Sequence, residues 1–173
     1  ELGSDLLSLN LIEFYNPTSA SGAQVRWKTP TPLARFVNFT TYATIDTYRT
    51  WAVAGEYTFL LPDGALIQIA YDVSDGSIAG HRLSYVPCPY QVEPDMIRQF
   101  ALEEVIDVFS TYSHDAITMQ SAIRFDYDPR SASPGHPAMH LTLNHSECRI
   151  ACEAPLTPER FLSFIFQNFY PAG

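Results

Sequence analysis

Within LLPDGALIQIAYDVSDGSIAGHRLSYVP, residues 60–87, the dipeptide Asp-Gly occurs twice, at Asp63-Gly64 and Asp75-Gly76. Each supplies the positive φ angles that a tight hairpin turn requires and that few other dipeptides adopt without strain. Leu66, Ile67, Ile69, Tyr71, Ile78, Leu83 and Tyr85 around them suit a pleated surface. Two such turns predict an antiparallel meander of three strands ending at Pro87. The pattern leaves its register open, because apolar residues occupy both parities of FLLPDGALIQIAY.

Around the meander the periodicity changes. Leu6, Leu7, Leu9, Leu11, Ile12 and Phe14 recur loosely at helical spacing behind Asp5, which predicts a short N-terminal helix. NPTSASGAQ then reads as a loop, and the two prolines of KTPTPL exclude regular structure there. The run from Arg35 to Leu61 is rich in Phe, Tyr, Thr and Val, so strands are expected. After Pro94-Asp95, Met96, Ile97, Phe100, Ala101, Val105 and Val108 trace the stripe of one amphipathic helix. AITMQSAIRFDYDP alternates as a one-sided strand, with Ile117, Met119, Ile123, Phe125 and Tyr127 on its apolar face. In TPERFLSFIFQNF, Thr157 caps a closing helix, Pro158 takes its first position, and Phe161, Leu162, Ile165 and Phe169 face inward.

HPAMHLTLNHSECRIAC, residues 136–152, gathers three of the five histidines and two of the three cysteines, which invites a zinc reading. Residues four apart in a strand lie roughly 13 Å from one another, too far to share an ion, so no metal site is expected. A hairpin turning at Ser146-Glu147 instead pairs Asn144 with Arg149 and His140 with Glu153. Met139, Leu141, Leu143, Cys148, Ile150 and Cys152 then share the core side, where free thiols pack as small apolar groups. His140, Thr142, Asn144, Arg149 and Glu153 share the other side, joined by Arg124 and Asp126 if the preceding strand lies alongside.

That polar face is either a solvated sheet face, as antiparallel sheets often present, or a site. As a site, His140 would move a proton and Glu153 would orient it, while Arg124 and Arg149, with Asn144, His136 and Arg82, would contact an anionic substrate. There is no phosphate-binding glycine loop, nucleophile elbow or His-Glu-x-x-His helix, and no cofactor is expected.

A formal charge of −9 disfavours non-specific binding to phosphate backbones or anionic membranes, so a protein partner is the more natural expectation. The N-terminal residues lack the basic and apolar blocks of a secretion signal or membrane span, and the few cysteines suit a reducing, cytoplasmic setting. The chain does not begin with methionine, which leaves the native start open.

HRLSYVPCPY, RFDYDP, HPAMHLTLNHSECRIACEAPLTPERFLSF and QNFYP together resemble an uncharacterised bacterial family recorded only as a domain of unknown function. The resemblance runs over residues 56–171 and is weaker in the first fifty. It brings no reaction, and His136, Pro137, His140 and Arg149 match as motif members only. It implies an association with mobile elements and phage-defence islands. The expectation is one α+β domain over residues 1–173, a mainly antiparallel twisted sheet of about six or seven strands with two or three helices packed on one face. Two functions fit it: a small cytosolic bacterial accessory or interaction protein, tied to a phage-defence or toxin-type system, or a metal-independent phosphodiesterase or ribonuclease using the His/Glu/Arg sheet face.

Overall fold

The computed structural model describes residues 2–28, 45–112, 117–118 and 120–171. The elements in chain order are α1 (Leu2–Ser8), β1 (Phe14–Tyr15), β2 (Thr18–Ser21), β3 (Gln24–Trp27), α2 (Ile45–Val53), β4 (Phe59–Leu60), β5 (Leu66–Ser74) and β6 (Ser77–Val86), then α3 (Pro94–Gln99), α4 (Leu102–Tyr112), β7 (Ile123–Tyr127), β8 (Met139–Leu143), β9 (Arg149–Ala151) and α5 (Pro158–Phe169). Among the described residues they form an α+β fold around one antiparallel sheet of nine strands, more than the six or seven expected. The order is β1-β4-β5-β6-β7-β8-β9, and β3, with β2 outside it, pairs with the far half of β5.

The meander forms where the turn chemistry places it. Asp75 and Gly76 both take positive φ (51° and 72°) between the paired Ser74 and Ser77. At the earlier turn Gly64 takes φ 83°, and Asp63 accepts a hydrogen bond from the Ala65 amide.

Helices cover both faces, rather than one. Phe161, Leu162 and Ile165 of α5 pack on Ile67, Leu83, Tyr85, Ile123, Phe125 and Met139, each buried apolar side chain contributing roughly 1.5–3 kcal/mol. Thr157 caps α5 by accepting from the Arg160 amide. Phe169, expected inward, is partly exposed and lies against Tyr85. On the opposite face, Leu60, Leu66, Val86 and Ala122 pack under Tyr48 and Trp51 of α2, Ile97 of α3, and Val105 and Ile106 of α4.

Several local expectations are corrected. Residues 45–53 are helix α2, not strand, because Ile45, Tyr48, Trp51 and Ala52 form one stripe against α4, and Gly55 at φ 66° follows its end. Packing there outweighs the β preference of Thr47, Tyr48 and Trp51. KTPTPL beyond Lys28, the expected strand up to residue 44, and Met119 lie outside the described residues. The N-terminal helix starts earlier and stops at Ser8, before Asn10 at φ 54°. NPTSASGAQ contains the β2–β3 hairpin, turning at Gly22 with Trp27 buried behind it.

The single helix expected after Pro94 is two, broken at Phe100, whose backbone is extended. In one straight helix Ile97 and Ile106 would point roughly half a turn apart; the break lets both reach the same cluster, leaving Val108 outward. The strand expected from Ala116 begins at Ile123; Ile117 makes only an isolated bridge to Tyr90.

The last hairpin pairs Leu141 with Ile150, Thr142 with Arg149 and His140 with Ala151. It turns through a longer loop that begins at Asn144 (φ 56°). This register is two residues from the expected one, so the faces are kept but the partners change. Cys148 and Ile150 keep the parity of α5's face yet are exposed, because β9 is an edge strand; Cys152 packs against the core, as do Met139, Leu141 and Leu143.

Candidate functional site

Alternation along four strands builds the site. On the face away from α5, β5, β6, β7 and β8 present Ala70, Arg82, Asp126 and His140 in one row across the sheet. The adjacent row is Gln68, Ser84, Arg124, Thr142 and, from β9, Arg149. Small Ala70 among the lining residues leaves room for a concavity of about 300 Å³. Its walls include Arg82, Arg124, His136, His140 and Arg149 from the expected set, with Asp72, Asp126, Asp128 and Arg130.

Asp126 organises the centre. Its Oδ1 accepts from Arg82 Nε at 3.0 Å, its Oδ2 accepts from Arg124 Nε at 2.6 Å, and His140 Nε2 stands 3.7 Å from Oδ2. Two guanidinium groups are thereby held side by side on one carboxylate. Arg149, half-buried, adds a third at the rim, where its recorded ion pair is a 3.5 Å contact with exposed Glu147. Four arginines and three aspartates line the concavity, so it is locally more basic than the acidic chain around it. Burial lowers the Arg124 pKa while Asp126 opposes the shift.

His140 is buried, 3% exposed, and Asp126 and Thr142 beside it are buried too, so this part of the face is withdrawn from solvent, while Arg82 at its edge stays half exposed. Its Nδ1 lies 2.8 Å from the Pro137 carbonyl, which can only accept, so Nδ1 carries the hydrogen and Nε2 is the nitrogen left toward Asp126. Burial holds its pKa below the ordinary histidine value, with the Pro137 bond and Asp126 acting the other way. A neutral imidazole with an available Nε2 and a nearby carboxylate is equipped to accept a proton.

The loop from Asp128 to Ala138 positions His136. Asp128 caps a short turn at Pro129–Ser131, Gly135 takes φ 80°, and Ser133 and His136 exchange backbone hydrogen bonds. The His136 ring meets His140 edge-on at 4.9 Å.

Two other expected residues fall outside. Glu153 is exposed, and Ala151 stands opposite His140 in its place, so the carboxylate beside the histidine is Asp126. Asn144 is an exposed turn residue beyond the concavity. His81 faces the other way, between Tyr71 and Tyr127, where its Nε2 accepts from the Leu156 amide at 3.0 Å. Ser84 and Thr142, flanking Arg124, are buried with hydroxyls that have no hydrogen-bond partner among the described residues. Asp72 and Asp128 went unmarked because only the strand order brings them here. Among the described residues no group of three or more His, Cys, Asp or Glu side chains is arranged to hold a metal ion, and no helix is long and apolar enough to cross a membrane.

A family model described as "Uncharacterized conserved protein (DUF2290)" matches residues 11–173. No curated protein and no solved structure matches the chain.

Proposed function

The chain belongs to the DUF2290 family of uncharacterized conserved proteins, and we propose that its concavity binds a phosphate ester and that it acts as a metal-independent phosphodiesterase or ribonuclease. One observation carries this reading: Arg82, Arg124, Arg149 and His140 converge in a single concave site. A binding module needs only an exposed patch, whereas anchoring a phosphoryl group beside a base needs this convergence. Arg124 and Arg149 hold the phosphate, with Arg82 and His136 contacting the ligand. His140 takes the proton of the attacking hydroxyl at Nε2 as its oxygen bonds to phosphorus and the ester P–O bond breaks; Asp126 stabilises the imidazolium, and the proton passes to the leaving oxygen, directly or through water, restoring the neutral ring. The site is local and more basic than the chain around it, which suits a defined ligand or strand end, not non-specific attraction to a duplex.

The accessory-protein reading keeps one observation in its favour. Leu2, Leu7, Leu9, Leu11 and Phe14 near the N-terminus are all exposed, an apolar surface suited to a protein partner. A single domain, bacterial origin, a cytoplasmic setting and a link to defence or toxin-type systems belong to the proposal through composition and resemblance.

The test is hydrolysis of single-stranded RNA and of a chromogenic phosphodiester in the presence of a chelator. Cleavage should fall about two to four orders of magnitude in His140→Ala, with phosphate binding largely kept. No cleavage by the wild-type protein, or equal cleavage by the variant, would end the enzyme reading.

A further inference from the structure

Two histidines, not one, stand beside the arginines. The register sets Thr142 on β8 between Arg124 on β7 and Arg149 on β9, about 4.8 Å, one strand spacing, from each. A phosphoryl group bridging the two arginines would lie over Thr142, whose buried hydroxyl has no hydrogen-bond partner among the described residues. His140 is two residues along the same strand and on the same face, about 6.6 Å from Thr142.

His136 reaches this place from the preceding loop. It lines the concavity, and its ring meets that of His140 edge-on, with centroids 4.9 Å apart and planes at 78°. The paired backbone bonds of Ser133 and His136 hold the loop that carries it. Nδ1 of His140 is committed to the Pro137 carbonyl, whereas the ring nitrogens of His136 have no hydrogen-bond partner among the described residues.

The two rings differ in setting, since His140 is buried and His136 only half-buried. Burial lowers the His140 pKa, and the nearby His136 adds to that shift, because two charges at this separation repel. In a singly protonated pair the proton therefore avoids His140. One ring is an acceptor and its neighbour a donor, the division of labour that acid–base catalysis uses.

We infer that His136 is the general acid of the phosphodiester cleavage, giving its proton to the leaving oxygen while His140 takes that of the attacking hydroxyl. This rests on the phosphodiesterase reading above and routes the returning proton through a second catalytic residue. In RNA the 2′-oxygen bonds to the adjacent phosphorus as its proton passes to His140 Nε2, the P–O5′ bond breaks, and the 5′-oxygen leaves with the proton of His136. The products are a 2′,3′-cyclic phosphate and a free 5′-hydroxyl. His140 then returns its proton to His136, across the ring contact or through water, so the net transfer is one proton from the attacking to the leaving oxygen.

Two substrates with the same attacking hydroxyl and different leaving groups test it: the dinucleotide uridylyl-adenosine, whose departing alkoxide needs a proton, and uridine 3′-(para-nitrophenyl phosphate), whose nitrophenolate does not. Turnover is measured with a chelator present on wild type, His136→Ala, His136→Gln and His140→Ala, each shown by its thermal melt to be folded. Both His136 variants should slow the dinucleotide by about two to four orders of magnitude and the nitrophenyl ester by no more than a few-fold. His140→Ala should slow both substrates. Equal losses on the two substrates in the His136 variants, or no loss on the dinucleotide, overturn the acid assignment. Cleavage of neither substrate by wild type overturns the phosphodiesterase reading itself.

Discussion

His81 should make the fold's stability depend on pH in a way that one substitution removes. Its ring is 6% exposed, lies between Tyr71 and Tyr127, and its Nε2 accepts from the Leu156 amide, tying β6 to the segment that leads into α5. Desolvation lowers its pKa from 6.5 to about 4, against smaller opposing contributions from the Phe125 backbone and Asp126. A proton on Nε2 would also remove the acceptor that the Leu156 amide uses. Because the folded pKa is depressed, the unfolded chain takes up the proton first, so stability is full above about pH 6.5 and is lost as pH falls toward 4. With those two values the loss is about 2 kcal/mol between pH 7.5 and pH 5, and about 3 kcal/mol by pH 4. Urea unfolding followed by circular dichroism at the two higher pH values, on wild type and His81→Gln, isolates it, since the carboxylates and His140 titrate in both proteins. The variant should be less stable at pH 7.5 but lose about 2 kcal/mol less on acidification. Equal losses in the two proteins would refute the assignment of a buried, neutral His81.

Leu162→Ala and Phe125→Ala should each cost roughly 2–5 kcal/mol in denaturant titration, because both side chains are buried where α5 meets the sheet; shifts below about half a kcal/mol would mean the α5 face is misassigned. A thiol reagent should modify exposed Cys148 in the native protein. Cys88, buried with its pKa pushed up to about 11, should react only on unfolding, as peptide mapping of the labelled protein would show.

What was legible in the sequence was what local chemistry decides. Asp75-Gly76 specifies its own turn, Thr157 and Pro158 specify the start of α5, and strand alternation places Arg124 with Asp126 on one face of β7 and His140 with Thr142 on one face of β8. What failed depended on contacts distant in the chain. The Thr, Tyr and Trp of α2 look like a strand until α4 is present to receive Tyr48 and Trp51. The last hairpin was read with the shortest turn, and the longer loop from Asn144 moved Glu153 away from His140 without exchanging the faces. For the site, the side chains of β7 and β8 were legible, and Arg82, expected among the ligand contacts without a fixed register, is set beside them by the pairing of β6 with β7 through Arg82 and Asp126. Parity placed Thr142 on the polar face, whereas Asp72 and the Ser84 hydroxyl had no sequence signal, since each is an ordinary polar residue until the sheet order assembles them.

The account rests on the arginine concavity being the place where a phosphate binds. Titration of isotopically labelled protein with inorganic phosphate, followed by amide and side-chain chemical shifts, tests this directly. Saturable shifts should centre on Arg82, Arg124, His140 and Arg149 and disappear in the Arg124→Ala, Arg149→Ala double variant while its melt shows it folded. Saturable binding centred elsewhere in the chain, or unchanged in that variant, would contradict the claim.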